Sequence, residues 1–169
     1  MSFSPALAAR AAQLLDTCRL DQIKIAIAES CTGGLIAGCL TEIAGSSDVV
    51  ERGFVTYSNE AKTEMLGVPA ELILRVGAVS EEVSRAMAEG ALTHSRAGLA
   101  VSVTGIAGPG GATETKPVGL VHHSCVLAGE VTLHERHVYP GDRNAVRLAT
   151  VETALKMALA TLRERSASA

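Results

Sequence analysis

Apolar residues recur along much of the chain at a spacing of three to four, which predicts amphipathic helices. The starts of two of these stretches also carry capping signals. Ser4-Pro5 places a capping serine before a proline, and Ser80-Glu81-Glu82 places one before two acids. The predicted helices begin at Ser4-Pro5, Leu35, Glu60, Ala70, Ser80 and Asp142.

Between these helices lie short apolar or β-branched runs, which are typical of buried strands. Because helices interleave with strands and a hairpin comes late, we expect a three-layer α/β/α sandwich with a mixed, mostly parallel sheet. We expect residues 1–169 to form one domain. The predicted strands cover residues 23–28, 54–57, 99–104, 118–127 and 131–139.

The composition of the chain argues against several classes of protein. The formal net charge is −3 and aromatic residues make up 2% of the chain, so neither a basic field nor base stacking favours nucleic-acid binding. No apolar run approaches the length of a membrane span. The four cysteines form no CxxC pair, which indicates reduced thiols in a cytoplasmic protein rather than a zinc or disulfide framework.

Two predicted strands end in small, polar, glycine-rich segments, 30–34 and 104–111. In open α/β sheets, ligands bind beyond the carboxyl ends of the strands, and glycine lets the backbone approach them closely. The first segment also leads into a helix, whose free N–H groups attract an anion. Neither segment matches a P-loop or a dinucleotide fingerprint. We therefore expect a ligand site of another kind here.

The residues alone leave the catalytic groups open. No metal-ligand spacing emerges among the histidines, and nothing favours a Ser-His-Asp triad. Ser47 precedes Tyr57 and Lys62, and a partly buried lysine beside a serine can act as a base; spacing alone favours a solvated lysine. Cys31, at a predicted helix start, is a rival nucleophile without a visible partner base.

Several segments together resemble the CinA C-terminal-domain family, and they do so in order along nearly the whole chain. Seven ordered motifs are far more specific than any one of them. The segments are Ala28-Glu29-Ser30-Cys31-Thr32-Gly33-Gly34, Gly45-Ser46-Ser47, residues 53–62, Gly77-Ala78-Val79-Ser80, Thr104-Gly105-Ile106-Ala107-Gly108-Pro109, Lys116-Pro117-Val118-Gly119 and Gly141-Asp142-Arg143.

The resemblance implies hydrolysis of nicotinamide mononucleotide to nicotinate mononucleotide and ammonia, in pyridine-nucleotide salvage. It implies no metal and no cofactor. Carried over residue by residue, it places the serine nucleophile on Ser47, the lysine base on Lys62 and a helping hydroxyl on Tyr57. The alternative is a non-catalytic binding or regulatory module linked to competence or the DNA-damage response.

The same resemblance implies a substrate pocket built from both glycine-rich segments. Ser30 and Thr104 would shape the pocket, and Arg143 would lie near the nucleotide. The partner is expected to be a small nucleotide, without nucleic acid or membrane. Abundant Ala and Val suit pairing between subunits, so we expect a homo-oligomer. The predicted pocket residues are Ser30, Cys31, Thr32, Gly33, Thr104, Gly105 and Arg143.

Overall fold

A five-stranded mixed sheet forms the middle layer of the protein, in the order β2-β1-β3-β4-β5. The computed structural model describes residues 3–168, and side chains as far as residue 165. Strands β1, β2 and β3 are parallel, and β4 pairs antiparallel with both β3 and β5. The strands are β1 (Ile25–Glu29), β2 (Val50–Val55), β3 (Leu99–Gly105), β4 (Leu120–Leu127) and β5 (Leu133–Val138).

Helices cover both faces of the sheet, which confirms the predicted α/β class. The capping signals act as the sequence suggests, because the Ser4 and Ser80 hydroxyls accept hydrogen bonds from the N–H groups of Leu7 and Val83. The helices are α1 (Pro5–Leu20), α2 (Leu35–Thr41), α3 (Asn59–Leu66), α4 (Ala70–Val76), α5 (Glu81–Thr93) and α6 (Arg143–Ser168). None of these described helices meets the length and hydropathy needed for a membrane span.

One apolar core lies on each side of the sheet. Helices α1, α2 and α6 supply leucines, valines and alanines to one core, and α3, α4 and α5 pack on the other face. Ala26, Ala28 and Ala100 leave α5 room to lie close to the sheet. Strands β1, β3 and β4 are almost wholly buried, whereas the edge strands β2 and β5 are largely exposed.

The register of the parallel strands brings three chain segments to one edge of the sheet. Ile25 of β1 lies opposite Val50 and Leu99, and Glu29 lies opposite Val55 and Val103. Because the three strands point the same way, the residues that follow their carboxyl ends must gather at that edge. This edge is where both glycine-rich segments lie.

Candidate active site

A cavity of about 270 Å³ opens at the carboxyl ends of the parallel strands. The turn after β1 and the loop after β3 form much of its wall, as their glycine content predicts. Of the residues that the sequence singles out, the structure brings seven to the cavity wall: Ser30, Cys31, Tyr57, Lys62, Thr104, Gly105 and Arg143.

The closest pair of reactive groups in this cavity is Lys62 and Ser30. The Lys62 amine lies 3.0 Å from the Ser30 hydroxyl and donates to the carbonyl of Thr56 at 2.8 Å. Lys62 is 1% exposed and Ser30 is 8% exposed, although both line the cavity. The Ser30 N–H also donates to the Val103 carbonyl, so the turn is tied to β3.

Burial lowers the pKa of Lys62 below its ordinary value, and the nearby Cys31 sulfur opposes this effect. No carboxylate of the described residues forms an ion pair with Lys62. Desolvation without a counter-charge favours the neutral amine. A neutral amine donates to Thr56 and keeps a lone pair, which can accept the Ser30 proton.

The structure does not bring Ser47 to Lys62. Ser47 is exposed on a single 3₁₀ turn, Ser46–Asp48, that comes just before β2. Because β2 runs parallel to β1, its start lies at the opposite end of the sheet from Ser30. A strand of five residues, roughly 13 Å long, separates the two ends. Arg19 holds this turn there through an ion pair with Asp48.

Tyr57 and Arg143 form the rim of the cavity. The Arg143 guanidinium donates to the Tyr57 hydroxyl at 3.0 Å and to the Gly108 carbonyl at 2.9 Å. Tyr57 is 61% exposed, and its hydroxyl bonds Arg143, whereas only its backbone carbonyl lies near the Lys62 amine, at 3.5 Å. None of the ion pairs within residues 3–165 involves Arg143, so its positive charge has no carboxylate partner there and is hydrogen-bonded to neutral oxygens.

The start of α2 is already occupied by a carboxylate of the protein itself. The Glu29 side chain is 1% exposed and accepts from the backbone N–H groups of Gly34, Ile36 and Ala37 at 2.9–3.1 Å. The sequence predicts that these N–H groups are free to attract a ligand anion. That expectation is wrong, because Glu29 reaches across the turn and satisfies them.

The other predicted pocket residues play several parts. Burial raises the pKa of the Cys31 thiol to about 12, which removes the thiolate that a cysteine nucleophile needs. Thr32 and Gly33 belong to the same turn but are not among the described residues that line the cavity. Thr104 donates its hydroxyl proton to the Ala78 carbonyl at 2.9 Å, which joins β3 to the loop before α5.

Position 105 has room only for a glycine. A Cβ atom at this position would lie 2.7 Å from the Leu120 carbonyl oxygen, so a side chain cannot be placed without moving β4. The glycine therefore keeps the end of β3 close to its neighbour and the cavity open above it.

Sequence reasoning about the site missed Glu29, Asn59, Ala78 and Val79. The last three line the cavity. A signal was present for all four, because each belongs to one of the segments that carry the family resemblance. Asn59 follows the cap of α3 and lies one turn before Lys62, so helical spacing places the two on adjacent turns of one helix.

The histidines lie outside the cavity. His122 and His134 contact each other through ring nitrogens at 2.9 Å, and burial lowers the pKa of His122 to about 4. His123 is fully buried on the other face of the sheet, where burial lowers its pKa to about 3. Within the described residues, no three His, Cys, Asp or Glu side chains gather as a metal site.

Known proteins of one family resemble this chain over most of its length. A family model described as the CinA C-terminal domain matches residues 7–162. A CinA-like protein of Akkermansia muciniphila is 54% identical over 82% of this chain and 34% of its own. A putative competence-damage inducible protein of Caldicellulosiruptor bescii is 48% identical over 80% of this chain and 33% of its own. The chain thus spans about a third of the length of these relatives.

Solved structures share the fold over almost their whole length. The competence/damage inducible protein CihA from Agrobacterium tumefaciens is 51% identical, with a TM-score of 0.92 over 96% of this chain and 99% of that one. A CinA superfamily protein from Klebsiella pneumoniae is 30% identical, with a TM-score of 0.89 over 94% of this chain and 98% of its own.

Proposed function

The chain belongs to the CinA C-terminal domain family, and on this premise we propose that it is an amidase that acts on nicotinamide mononucleotide. The observation that carries the proposal is the buried contact of 3.0 Å between the Lys62 amine and the Ser30 hydroxyl, in a cavity at the carboxyl ends of the strands. A desolvated lysine beside a serine is a known way to activate a hydroxyl for attack on an amide.

We assign the nucleophile to Ser30 rather than to Ser47. The family resemblance alone suggests Ser47, but Ser47 is exposed at the other end of the sheet from Lys62. Ser30 is a hydroxyl within hydrogen-bond distance of the amine, and general-base catalysis requires such a distance.

The reaction follows from this pair. Ser30 Oγ attacks the carboxamide carbon while Lys62 Nζ takes its proton, which gives a tetrahedral oxyanion. Backbone N–H groups of the two cavity loops stabilise that charge. The C–N bond then breaks, Lys62 returns the proton to the departing nitrogen, and ammonia leaves. Water attacks the resulting ester of Ser30, with Lys62 again as base, and nicotinate mononucleotide is released.

The phosphate of the substrate binds at Arg143. The start of α2 cannot serve, because Glu29 fills it. Arg143 lies at the cavity rim, and among the described side chains and backbone its hydrogen-bond partners are the Tyr57 hydroxyl and the Gly108 carbonyl, so its charge is available to a dianion. Tyr57 holds the guanidinium in place rather than passing a proton.

Ammonia release tests the proposal directly. Purified protein is incubated with nicotinamide mononucleotide, and ammonia and nicotinate mononucleotide are both measured. We expect stoichiometric formation of the two products and none with Lys62→Met, a variant that keeps an unbranched side chain of similar shape but lacks the terminal amine. If the parent protein releases no ammonia, the amidase assignment is refuted.

The second candidate is a non-catalytic module for competence or the DNA-damage response, which is favoured only by the names of relatives such as the Caldicellulosiruptor protein. The burial of Lys62, which forms no ion pair among the described residues, has no evident role in such a module. An inert parent protein in the ammonia assay would favour this candidate.

A further inference from the structure

Glu29 has an unusual position for a buried carboxylate. It is the last residue of β1, directly before Ser30, and its side chain is 1% exposed. None of the ion pairs among the described side chains includes it. Burial of a carboxylate costs free energy unless hydrogen bonds compensate for the lost water.

Three backbone N–H groups supply that compensation. One carboxylate oxygen accepts from Gly34 at 3.1 Å and from Ile36 at 3.0 Å, and the other accepts from Ala37 at 2.9 Å. The residue before α2, Gly34, has a φ of 100° and offers no side chain to cap the helix. Glu29 therefore replaces the usual capping residue from the far side of the turn.

The backbone of Glu29 reaches the lysine side of the site as well. Its carbonyl accepts from the Thr56 N–H at 2.8 Å, and the Thr56 carbonyl is the closest partner of the Lys62 amine. One residue thus connects the turn that carries Ser30 to the peptide that anchors Lys62.

We infer that Glu29 is a positioning residue for the reaction: by closing the turn from 30 to 34 against the start of α2, it holds the Ser30 hydroxyl at the Lys62 amine. The inference rests on the proposed amidase function. Glu29 contacts no substrate in this account. It acts through the geometry of Ser30, and small displacements of a nucleophile slow a reaction strongly.

Glu29→Gln is the sharpest variant. It keeps the length of the side chain, but its amide nitrogen must face backbone donors that cannot accept a hydrogen bond. With all rates expressed per folded molecule, we expect kcat to fall roughly 10- to 100-fold and KM to stay within about twofold. Labelling of Ser30 by a fluorophosphonate probe, with Ser30→Ala as the unlabelled reference, should slow by a similar factor.

A matched control exists at the other end of the sheet. Glu51 of β2 also has a nearly buried carboxylate, which pairs with Arg52 and Arg96. Glu51→Gln should lower the melting temperature yet leave kcat, KM and the labelling rate per folded molecule at the parent values. Activity loss in that variant equal to the loss in Glu29→Gln would overturn the inference, because general destabilisation would then explain both.

Other outcomes separate this inference from the proposed function. Parent values of kcat and labelling in folded Glu29→Gln, with Ser30→Ala inactive, would show that Glu29 only caps α2. A raised KM with parent kcat would place Glu29 in substrate binding and also overturn the inference. If Ser30→Ala keeps full ammonia release, the proposed nucleophile itself fails.

Glu29→Asp keeps the inference open to refutation where the glutamine variant does not fold. Its carboxylate keeps the charge but is one methylene shorter, so it reaches fewer of the three N–H groups. We expect its labelling rate and kcat to fall together, and parent rates would overturn the inference.

Discussion

The amine of Lys62 and the hydroxyl of Ser30 meet at 3.0 Å, although 32 positions separate them in the chain. Ser30 follows the carboxyl end of β1, and Lys62 lies on the helix after β2, the parallel neighbour of β1. Strand pairing therefore brings together two side chains that no local motif joins. The chemistry proposed for the protein depends on this contact.

Ser30→Ala and Ser47→Ala form a matched pair. Both remove one hydroxyl, but only Ser30 faces the lysine, so we expect Ser30→Ala to lose at least about a thousandfold in kcat/KM. Ser47→Ala should keep the parent rate, since Ser47 is exposed far from the cavity. Loss of ammonia release in Ser47→Ala alone would return the nucleophile to that residue.

The pH dependence of the rate should follow the loss of a proton from the Lys62 amine. Only the neutral amine can accept the Ser30 proton, and burial lowers the pKa of Lys62. Activity should therefore rise with pH and level off below the ordinary lysine pKa of about 10.4. We expect kcat/KM measured from pH 6 to 10 to show this ascending limb. A rate independent of pH over that range would contradict a lysine base.

Arg143→Gln should weaken substrate binding more than chemistry. Loss of a charged hydrogen-bond donor to phosphate costs about 1.5–3 kcal/mol, so KM should rise roughly 10- to 100-fold with little change in kcat. Nicotinamide riboside, which lacks the phosphate, should be turned over equally by parent and variant. An equal loss with both substrates would show that Arg143 acts on the carboxamide instead.

Gly90 and Gly38 should respond oppositely to alanine. Both lie inside helices, where alanine ordinarily stabilises by about 1 kcal/mol. At Gly90 of α5, however, a Cβ would lie 2.1 Å from the Leu66 carbonyl oxygen, whereas at Gly38 of α2 the nearest atom is 4.0 Å away. We expect Gly90→Ala to lower the free energy of unfolding by about 2 kcal/mol or more and Gly38→Ala to raise it slightly. Urea unfolding measures both, and an unchanged midpoint for Gly90→Ala would contradict this contact.

His123 should make the fold sensitive to acid. Burial lowers the pKa of His123 from its ordinary value near 6.5 to about 3 in the folded state. Between these two pH values the unfolded chain binds a proton that the folded chain does not, so stability is complete above pH 6.5 and is lost as the pH falls toward 3. His123→Phe should flatten this decline by up to about 1.4 kcal/mol per pH unit. Urea unfolding of the parent protein and of His123→Phe at pH 7, 6 and 5 measures this difference. An equal loss of unfolding free energy in the two proteins would contradict the prediction.

Much of the fold could be predicted because it depends on local patterns. The apolar runs of β1 and β3 and the caps at Ser4 and Ser80 mark elements that the structure contains. Glycine-rich segments after two parallel strands also placed the cavity at the correct edge. The pairing of the proposed catalytic groups could not be predicted in this way. Ser47 is closer to Lys62 along the chain than Ser30 is, yet β2 separates Ser47 from Lys62 by the length of the sheet.

The amino-acid sequence by itself determined the layered α/β architecture, the edge of the sheet at which the cavity opens and the set of polar groups available there. These properties follow from the periodicity of side chains and from glycine, both of which act over a few residues. Only the tertiary structure decided that Ser30 faces Lys62 and that Glu29 fills the start of α2. Both contacts depend on strand direction and on how a turn closes, and these are set by packing between elements distant in the chain.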